Sequence, residues 1–409
     1  MEVIARFYPP LDERKPIPAI YLPATFALTL LPFFSSRRRL AAWIILPIIV
    51  WMCVLAPCYT FGDPSADFYR SSGFIIMPLW FVDFAILSSQ DGNNALLYVG
   101  NSKGETTLAR RIEDCPSIWS KLRWAYELMI PSHRGIGWNW QIRNVPDDPV
   151  AYLSNRRWVL HQIKKAVVAY IGSILMLVTL GFASAFEQKQ DDLAELSTPN
   201  TSFLVDPMIG WAGALWIYCR LQSFYSSASA ISVALGIYER WQLPPLMGNV
   251  RDAWSVRQFW AVYHQTMRRM VSAPARRITR GLGLQKGSLT SGIAQLFLAF
   301  GVSTVVHQYQ MFNVTRRDMG EFAFFMSQPV VIALEGVVIW LWRHFVPQPG
   351  PRISLLELGF GYAWVFLWFS FSLPIYLKGS RDAGIVRDAF FGTTPFAYGG
   401  SLFEAILRS

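Results

Sequence analysis

Charge is scarce in this sequence of 409 residues: Asp, Glu, Lys and Arg together make up 16% of it, where an ordinary soluble domain carries about 25%. Acid is scarcer than base, with 27 Asp and Glu against 37 Lys and Arg, so the formal net charge is +10. There are only five histidines, His133, His161, His264, His307 and His344. None is paired at metal-ligand spacing, which excludes a membrane di-iron oxygenase with its clustered histidines. The four cysteines (Cys53, Cys58, Cys115 and Cys219) form neither a disulfide framework nor a zinc spacing. The chain has no G-x-x-x-x-G-K-[ST] and no G-x-S-x-G, which excludes a P-loop and a nucleophile elbow. The glycines of 281–287 have the wrong spacing for a dinucleotide fingerprint. No internal repeat is visible, so nothing points to paired transporter halves. The stretch Asp191-Asp192-Leu193-Ala194-Glu195 superficially fits a Mg-pyrophosphate site, but no second acidic motif accompanies it and it reads as a solvated loop.

What fills the space is apolar. Hydrophobic residues reach 53% and aromatic residues 15%, with 17 Trp and 29 Phe. A chain both oily and basic fits an all-α, polytopic integral membrane protein whose positive charge sits on one face of the bilayer. A hydrocarbon core of about 30 Å needs about 20 apolar residues in a helix. Eight transmembrane helices are expected, near 17–34, 40–59, 73–88, 164–186, 208–235, 291–311, 322–342 and 358–377. The third is short and holds Asp83; the fifth carries Arg220 in its middle. The first lacks the basic n-region and small-residue cleavage site of a signal peptide and is read as retained.

The loops orient these spans. Loop 35–39 carries Arg37, Arg38 and Arg39. Loop 236–290 carries nine basic residues (Arg240, Arg251, Arg257, Arg268, Arg269, Arg276, Arg277, Arg280, Lys286) against Glu239 and Asp252, a net of 9 − 2 = +7. Loop 187–207 sets Lys189 against Glu187, Asp191, Asp192, Glu195 and Asp206, a net of −4. By the positive-inside rule the basic loops are cytosolic and both chain ends are lumenal. An endoplasmic-reticulum location is expected. The sequons at Asn200 and Asn313 fall on the lumenal side of this scheme, as a glycoprotein requires. The whole chain reads as a single membrane-embedded domain, with a cytosolic insert at 89–163 and the basic loop at 236–290. The insert holds Trp119, Trp124, Trp138, Trp140 and Trp158, which predicts short interfacial helices with tryptophans at headgroup level.

His307 is the sharpest single feature. It sits inside the sixth span, with Ser303 and Thr304 one turn before it on the same helical face. An ionisable group at membrane depth is costly and marks a functional site by default. An imidazole in that setting is held neutral, able to take a proton near neutral pH. The residues alone leave two readings open: a general base, or a packing histidine bonded to a neighbouring helix. His264 lies in the basic loop, where Trp260, His264 and Arg268 share one helical stripe and Phe259, Tyr263 and Met267 the next. That pattern predicts an amphipathic helix at the membrane surface. Glu335, in the seventh span, reads as a proton partner, a substrate contact or a structural hydrogen-bonder. Asp83 and Arg220 read as a buried pair that neutralises itself.

Phe259-Trp260-x-x-x-His264-Gln265 on a basic loop, followed about forty residues later by a membrane-embedded histidine, resembles the membrane-bound O-acyltransferases. Within them the sequence is most similar to the fungal wax-synthase-like branch, and Arg134-Gly135-Ile136-Gly137-Trp138-Asn139-Trp140 resembles an Arg-Gly-Ile-Gly-Trp element of that branch. The resemblance covers roughly 120–380. Many members of the family carry Asn or Asp where His264 stands, while fungal members often have His.

The resemblance implies an acyltransferase tunnel, with His307 as catalytic histidine and His264 as a second active-site position. It implies transfer of an acyl group, most simply acetyl, from acyl-CoA (acetyl-CoA) to the hydroxyl of a lipophilic alcohol of terpenoid or meroterpenoid type, in secondary metabolism. His264 or Gln265 would donate to the developing oxyanion, with Phe259, Trp260, Tyr263 and Ser303 lining the donor site. Arg268 and Arg269, together with Arg257, Arg276 and Arg277, would meet the CoA phosphates on the cytosolic face. No metal, no bound cofactor and no nucleic-acid partner is expected beside the lipid bilayer. The rival readings are a long-chain wax ester synthase, an integral membrane terpene cyclase, and a transporter using His307 and Glu335 as a proton relay.

Overall fold

A computed structural model describes residues 1–88, 95–101, 110–129, 133–194, 202–263, 265–346 and 355–388, with 392, 394, 395 and 397. Its helices are α1 (Glu2–Ala5), α2 (Tyr21–Leu30), α3 (Arg38–Leu55), α4 (Pro64–Phe81), α5 (Ile118–Met129), α6 (Asn155–Ala194), α7 (Ser202–Ala234), α8 (Val256–Val262), α9 (Arg268–Gly281), α10 (Leu289–Thr315), α11 (Glu321–Phe345) and α12 (Leu355–Asp382). The protein is an all-α, multi-pass membrane protein. Among the described residues six helical stretches are long and apolar enough to cross a bilayer: Arg38–Cys58, Pro64–Leu87, Asn155–Gln188, Leu289–Thr315, Glu321–Phe345 and Leu355–Asp382. The expected eight are therefore reduced to six. The first expected span becomes a short apolar stretch, Tyr21–Phe34, because Pro32 sits in a 3-10 turn that ends it. α7 is long enough, but Arg220, Gln222 and a run of serines dilute its hydropathy.

The chain divides into two compact units, each made of two stretches. The first is Met1–Val145 with His264–Asp318. Here α10 packs on α4 and α9. One core joins Phe74, Trp80, Phe81 and Phe84 of the α4 region to Trp124 of α5, Trp138, Met270 of α9 and Val306 of α10. Residues Lys15–Pro16 pair in parallel with Tyr59–Thr60, as strands β1 and β2. Two arginines fix the N-terminal segment against the end of α10. Arg14 donates to Asp67 at 2.9 Å and to the carbonyl of Asn313 at 2.8 Å. Arg316 donates to the carbonyls of Pro9 and Pro57 and lies over the rings of Tyr8 and Phe312. Burial, and next to it the charge of Arg14, pull the Arg316 guanidinium down to about 10, still protonated at neutral pH.

α4 runs into a π turn, Val82–Leu87, that carries Asp83. Asp83 is not partnered with Arg220, as the sequence suggested. Its carboxylate takes Arg269 Nε at 2.7 Å and a second bond from Arg277, both from α9. Arg269 also lies over the rings of Phe84 and Trp140, 4.9 and 4.5 Å from their centroids. Among the described residues the insert holds the amphipathic helix α5. Its tryptophans correct the expected headgroup belt: Trp124, Trp138 and Trp158 are buried, and Trp119 is exposed. In the 134–140 motif, Gly135 and Gly137 adopt φ of +66° and +79°. A Cβ at Gly135 would lie 2.5 Å from the Trp140 indole, so glycine is required there both by conformation and by close approach. Asn139 exchanges bonds with the backbone of Ala95 and Leu97, closing the turn.

The second unit is Pro146–Tyr263 with Met319–Ser409. α6 and α7 form a long hairpin, with Gly172 against Cys219 and Ser223 bonded to the carbonyl of Ala166. α12 lies on α7, where Gly210 and Gly213 admit Leu373, Pro374 and Leu377. Lys378 and Arg381 of α12 pair with Glu187 of α6, and Lys378 also with Asp206 of α7, at 2.7 Å each. So two acids of the acidic loop 187–207 are neutralised by a neighbouring helix. Arg220 donates to the carbonyl of Arg387 and lies over Trp216 and Phe224. Asn200 and Glu195 fall outside the described residues. Asn313 is 3% exposed, and its amide donates to the carbonyl of Tyr309.

Removing one partner from a buried ion pair leaves an uncompensated charge and costs about 3–5 kcal/mol. Asp83→Ala is expected to lower the unfolding midpoint of the detergent-solubilised protein, read by fluorescence-detected size exclusion. Asp83→Asn, which keeps an acceptor, falls less. A midpoint unchanged in Asp83→Ala would show that the two arginines are solvated rather than paired.

Candidate active site

His307 stands on α10, 18 residues past its first residue Leu289, about 27 Å along at 1.5 Å per residue. The helix starts on Ser288, whose hydroxyl accepts from the amide of Ser291. Around His307 the helix is fixed to its neighbours in the first unit. Val306 is buried in the common core. Tyr309 donates its hydroxyl to the carbonyl of Cys53 on α3 at 2.7 Å, and the Gln310 amide reaches the carbonyl of Phe68 on α4 at 3.4 Å. The imidazole is half-buried, and so is Ser303 on the preceding turn. Thr304 spends its hydroxyl proton on the carbonyl of Phe300 at 2.8 Å, so it does not donate to the imidazole.

The stripe expected at 257–269 is not one helix. α8 ends at Val262, and Tyr263 is extended, with φ −82° and ψ 137°. The Val262 carbonyl is taken by the amide of Gly248 at 3.0 Å, so the backbone leaves the helical path there. His264 lies outside the described residues. Gln265 follows in a 3-10 turn, Gln265–Met267, with its amide donating to the carbonyl of Asn144 at 3.0 Å. α9 then begins at Arg268, which donates to the carbonyl of Arg143 at 3.1 Å.

In the second unit α8 is held by two polar side chains of α11. Glu335 accepts the backbone amides of Val256 at 2.8 Å and Arg257 at 3.2 Å, and the Trp364 indole of α12 at 3.1 Å. A carboxylate at a helix N-terminus satisfies orphan amides and complements the helix dipole. Ser255 caps the same end by accepting from Gln258. Seven residues before Glu335, Gln328 accepts the Trp260 indole at 3.2 Å and the Trp368 indole at 3.1 Å on one oxygen. Its amide nitrogen donates to the carbonyl of Phe324. Trp260 therefore cannot turn freely. It sits among Phe324, Phe325 and Phe369, with Phe259 4.1 Å from Phe369 and stacked on Tyr263.

The sequence singled out Glu335 and missed Gln328. The signal was present: two polar residues seven apart in an apolar span share a face, and Trp364 and Trp368, four apart, share one in the next. Among the described residues no cluster of three His, Cys, Asp or Glu side chains is placed to hold a metal ion.

The family model described as "Membrane bound O-acyl transferase family" matches residues 243–327. The chain is 29% identical over 92% of its length to "Acetyltransferase eriL" of Hericium erinaceus, covering 94% of that protein. It is 27% identical over 89% of its length to "Acetyltransferase ple2" of Rhodocybe pseudopiperita, covering 91% of it. It is 28% identical over 63% of its length to "O-Mevalon transferase macI" of Penicillium terrestre, covering 61% of that chain. No solved structure matches. These similarities support a general assignment to the membrane-bound O-acyl transferases and an acyl-transfer activity at the level of that family.

The two adjacent arginines separate in their expected effects. Arg269→Gln strips Asp83 of a partner and should lower the amount of folded protein. Arg268→Gln should leave abundance intact and raise the apparent KM for acyl-CoA several-fold, the signature of lost ground-state binding. An unchanged KM in a normally abundant Arg268→Gln protein removes Arg268 from donor binding.

Proposed function

We propose that this protein is an acyl-CoA-dependent O-acetyltransferase that acylates the hydroxyl of a lipophilic alcohol of terpenoid or meroterpenoid type. The observation that carries the proposal is the similarity, over 92% of the chain, to a protein named as an acetyltransferase, together with a histidine built into an apolar helix at His307. Proteins named O-mevalon transferases are among the relatives, which keeps a larger acyl group as a second reading.

His307 is the general base in this proposal. As the alcohol oxygen attacks the thioester carbonyl, His307 takes its proton, an effect typically worth about 10²–10⁴-fold. The carbon–sulfur bond breaks, and the proton passes to the departing thiolate, giving the ester and free CoA. The transfer is direct, without an acyl-enzyme. Its oxyanion is assigned to His264 or Gln265, and donor contacts to Phe259, Trp260, Tyr263, Ser303 and Arg268. Glu335 is removed from the substrate-contacting set, because its carboxylate is engaged by two backbone amides and an indole.

Microsomes carrying the protein should transfer label from acetyl-CoA to terpenoid alcohols more readily than from palmitoyl-CoA. His307→Ala should abolish transfer while the protein still accumulates in membranes. Near-normal turnover in that variant would refute the assignment of the base, and preference for palmitoyl-CoA would move the reading to wax ester synthesis.

A further inference from the structure

The hydrogen bonds around α8 have an unusual distribution. A seven-residue helix is too short to hold itself, yet α8 carries the Phe259-Trp260 pair to which donor contacts are assigned. Its position is dictated by α11. Glu335 binds its first two amides and Gln328 binds its Trp260 indole, so the helix is fixed at its start and again one turn later. Each α11 acceptor is in turn shared with one α12 indole, Trp364 on Glu335 and Trp368 on Gln328. The same stretch is pressed from the α12 side. Gly361 lies so close to the carbonyl of Trp254 that a Cβ there would collide with it, and Tyr362 donates to the carbonyl of Arg251.

We infer that Gln328 and Glu335 are positioning residues for acyl-donor binding. Gln328 sets the orientation of the Trp260 ring, and Glu335 sets the start of the helix that carries it. The inference rests on the acyl-CoA-dependent reading above. It differs from a packing role in one respect. Packing would be served by any apolar side chain that fills the space, whereas orientation needs an acceptor at the end of residue 328. The amide oxygen of Gln328 takes two indole N–H groups, and a buried donor that loses its acceptor costs about 1–3 kcal/mol. Its loss lets the Trp260 ring leave its present plane to find another partner. A ring that lines the donor should then bind it less tightly, while proton transfer at His307 is left as it was.

The test is a double-mutant cycle read in steady-state kinetics on full-length protein in microsomes, with acetyl-CoA as the varied substrate. Gln328→Leu and Trp260→Phe are each expected to raise the KM for acetyl-CoA about tenfold with kcat changed less than about threefold, a ground-state binding loss. The effect of the double variant should be clearly less than the sum of the two single effects, because both remove the Trp260–Gln328 bond. Gln328→Glu keeps an acceptor for both indoles and should restore KM to within about threefold of the unsubstituted protein. If Gln328→Leu fails to accumulate, Trp368→Phe replaces it. That variant removes the other donor on the same oxygen and is expected to shift KM in the same direction by a smaller factor. An unchanged KM in the variant that accumulates, or additive effects in the cycle, overturns the inference while leaving the acyltransferase reading standing. Absence of any acyl transfer or acyl-CoA binding by the unsubstituted protein overturns that reading, and the inference with it.

Discussion

A polar atom inside an apolar helix bundle must find a partner, since water is not there to supply one, and this requirement organises both units of the protein. In the second, two acceptors on α11 collect donors from α8 and α12. Three helices with little reason to choose one register over another are locked into a single one. In the first unit Asp83 has the same position in the logic. A lone carboxylate at the end of α4 would be costly in apolar surroundings, and two arginines of α9 reach it, one of them lying over two aromatic rings as it does so. In both units an acidic or amide side chain that looks like chemistry is the reason a basic or aromatic segment lies where it does.

This explains which features could be read in advance. Length and hydropathy follow from the local sequence, so helices were expected at positions close to those found for α3, α4, α6, α7, α10, α11 and α12. The count of long apolar helices differed because hydropathy averages over residues whose partners are elsewhere: Arg220 lowers the value for α7 although its guanidinium rests on two aromatic rings. The stripe at 257–269 failed for a related reason. Helical periodicity continues through Tyr263 on paper, but the Val262 carbonyl is taken by Gly248, a residue fourteen positions earlier. His307 was visible at once because a single histidine in an apolar run needs no partner to be noticed. Gln328 was invisible because its meaning lies in tryptophans of α8 and α12.

The similarity to known proteins has a telling boundary. The matched family segment, 243–327, contains the donors Val256, Arg257 and Trp260 and stops one residue before Gln328. The acceptors lie in the flanking sequence, where the similarity is carried by relatives at 24–29% identity. A segment comparison therefore covers the helix that is positioned and leaves out the side chains that position it. Helix α8 is short enough that these side chains carry as much information about its placement as its own sequence does.

The arginine contacts at the N-terminal segment have a consequence for biosynthesis. Arg14 bonds to the carbonyl of Asn313, a separation of 299 residues, and Arg316 reaches back 307 residues to Pro9. The first unit is thus assembled from the earliest part of the chain and a part made after most of the second unit has been translated. During synthesis at about 5–20 residues per second, the opening segment waits on the order of ten seconds or more for its partners. Throughout that interval Arg14 has Asp67 within reach, 53 residues away, but not the carbonyl of Asn313.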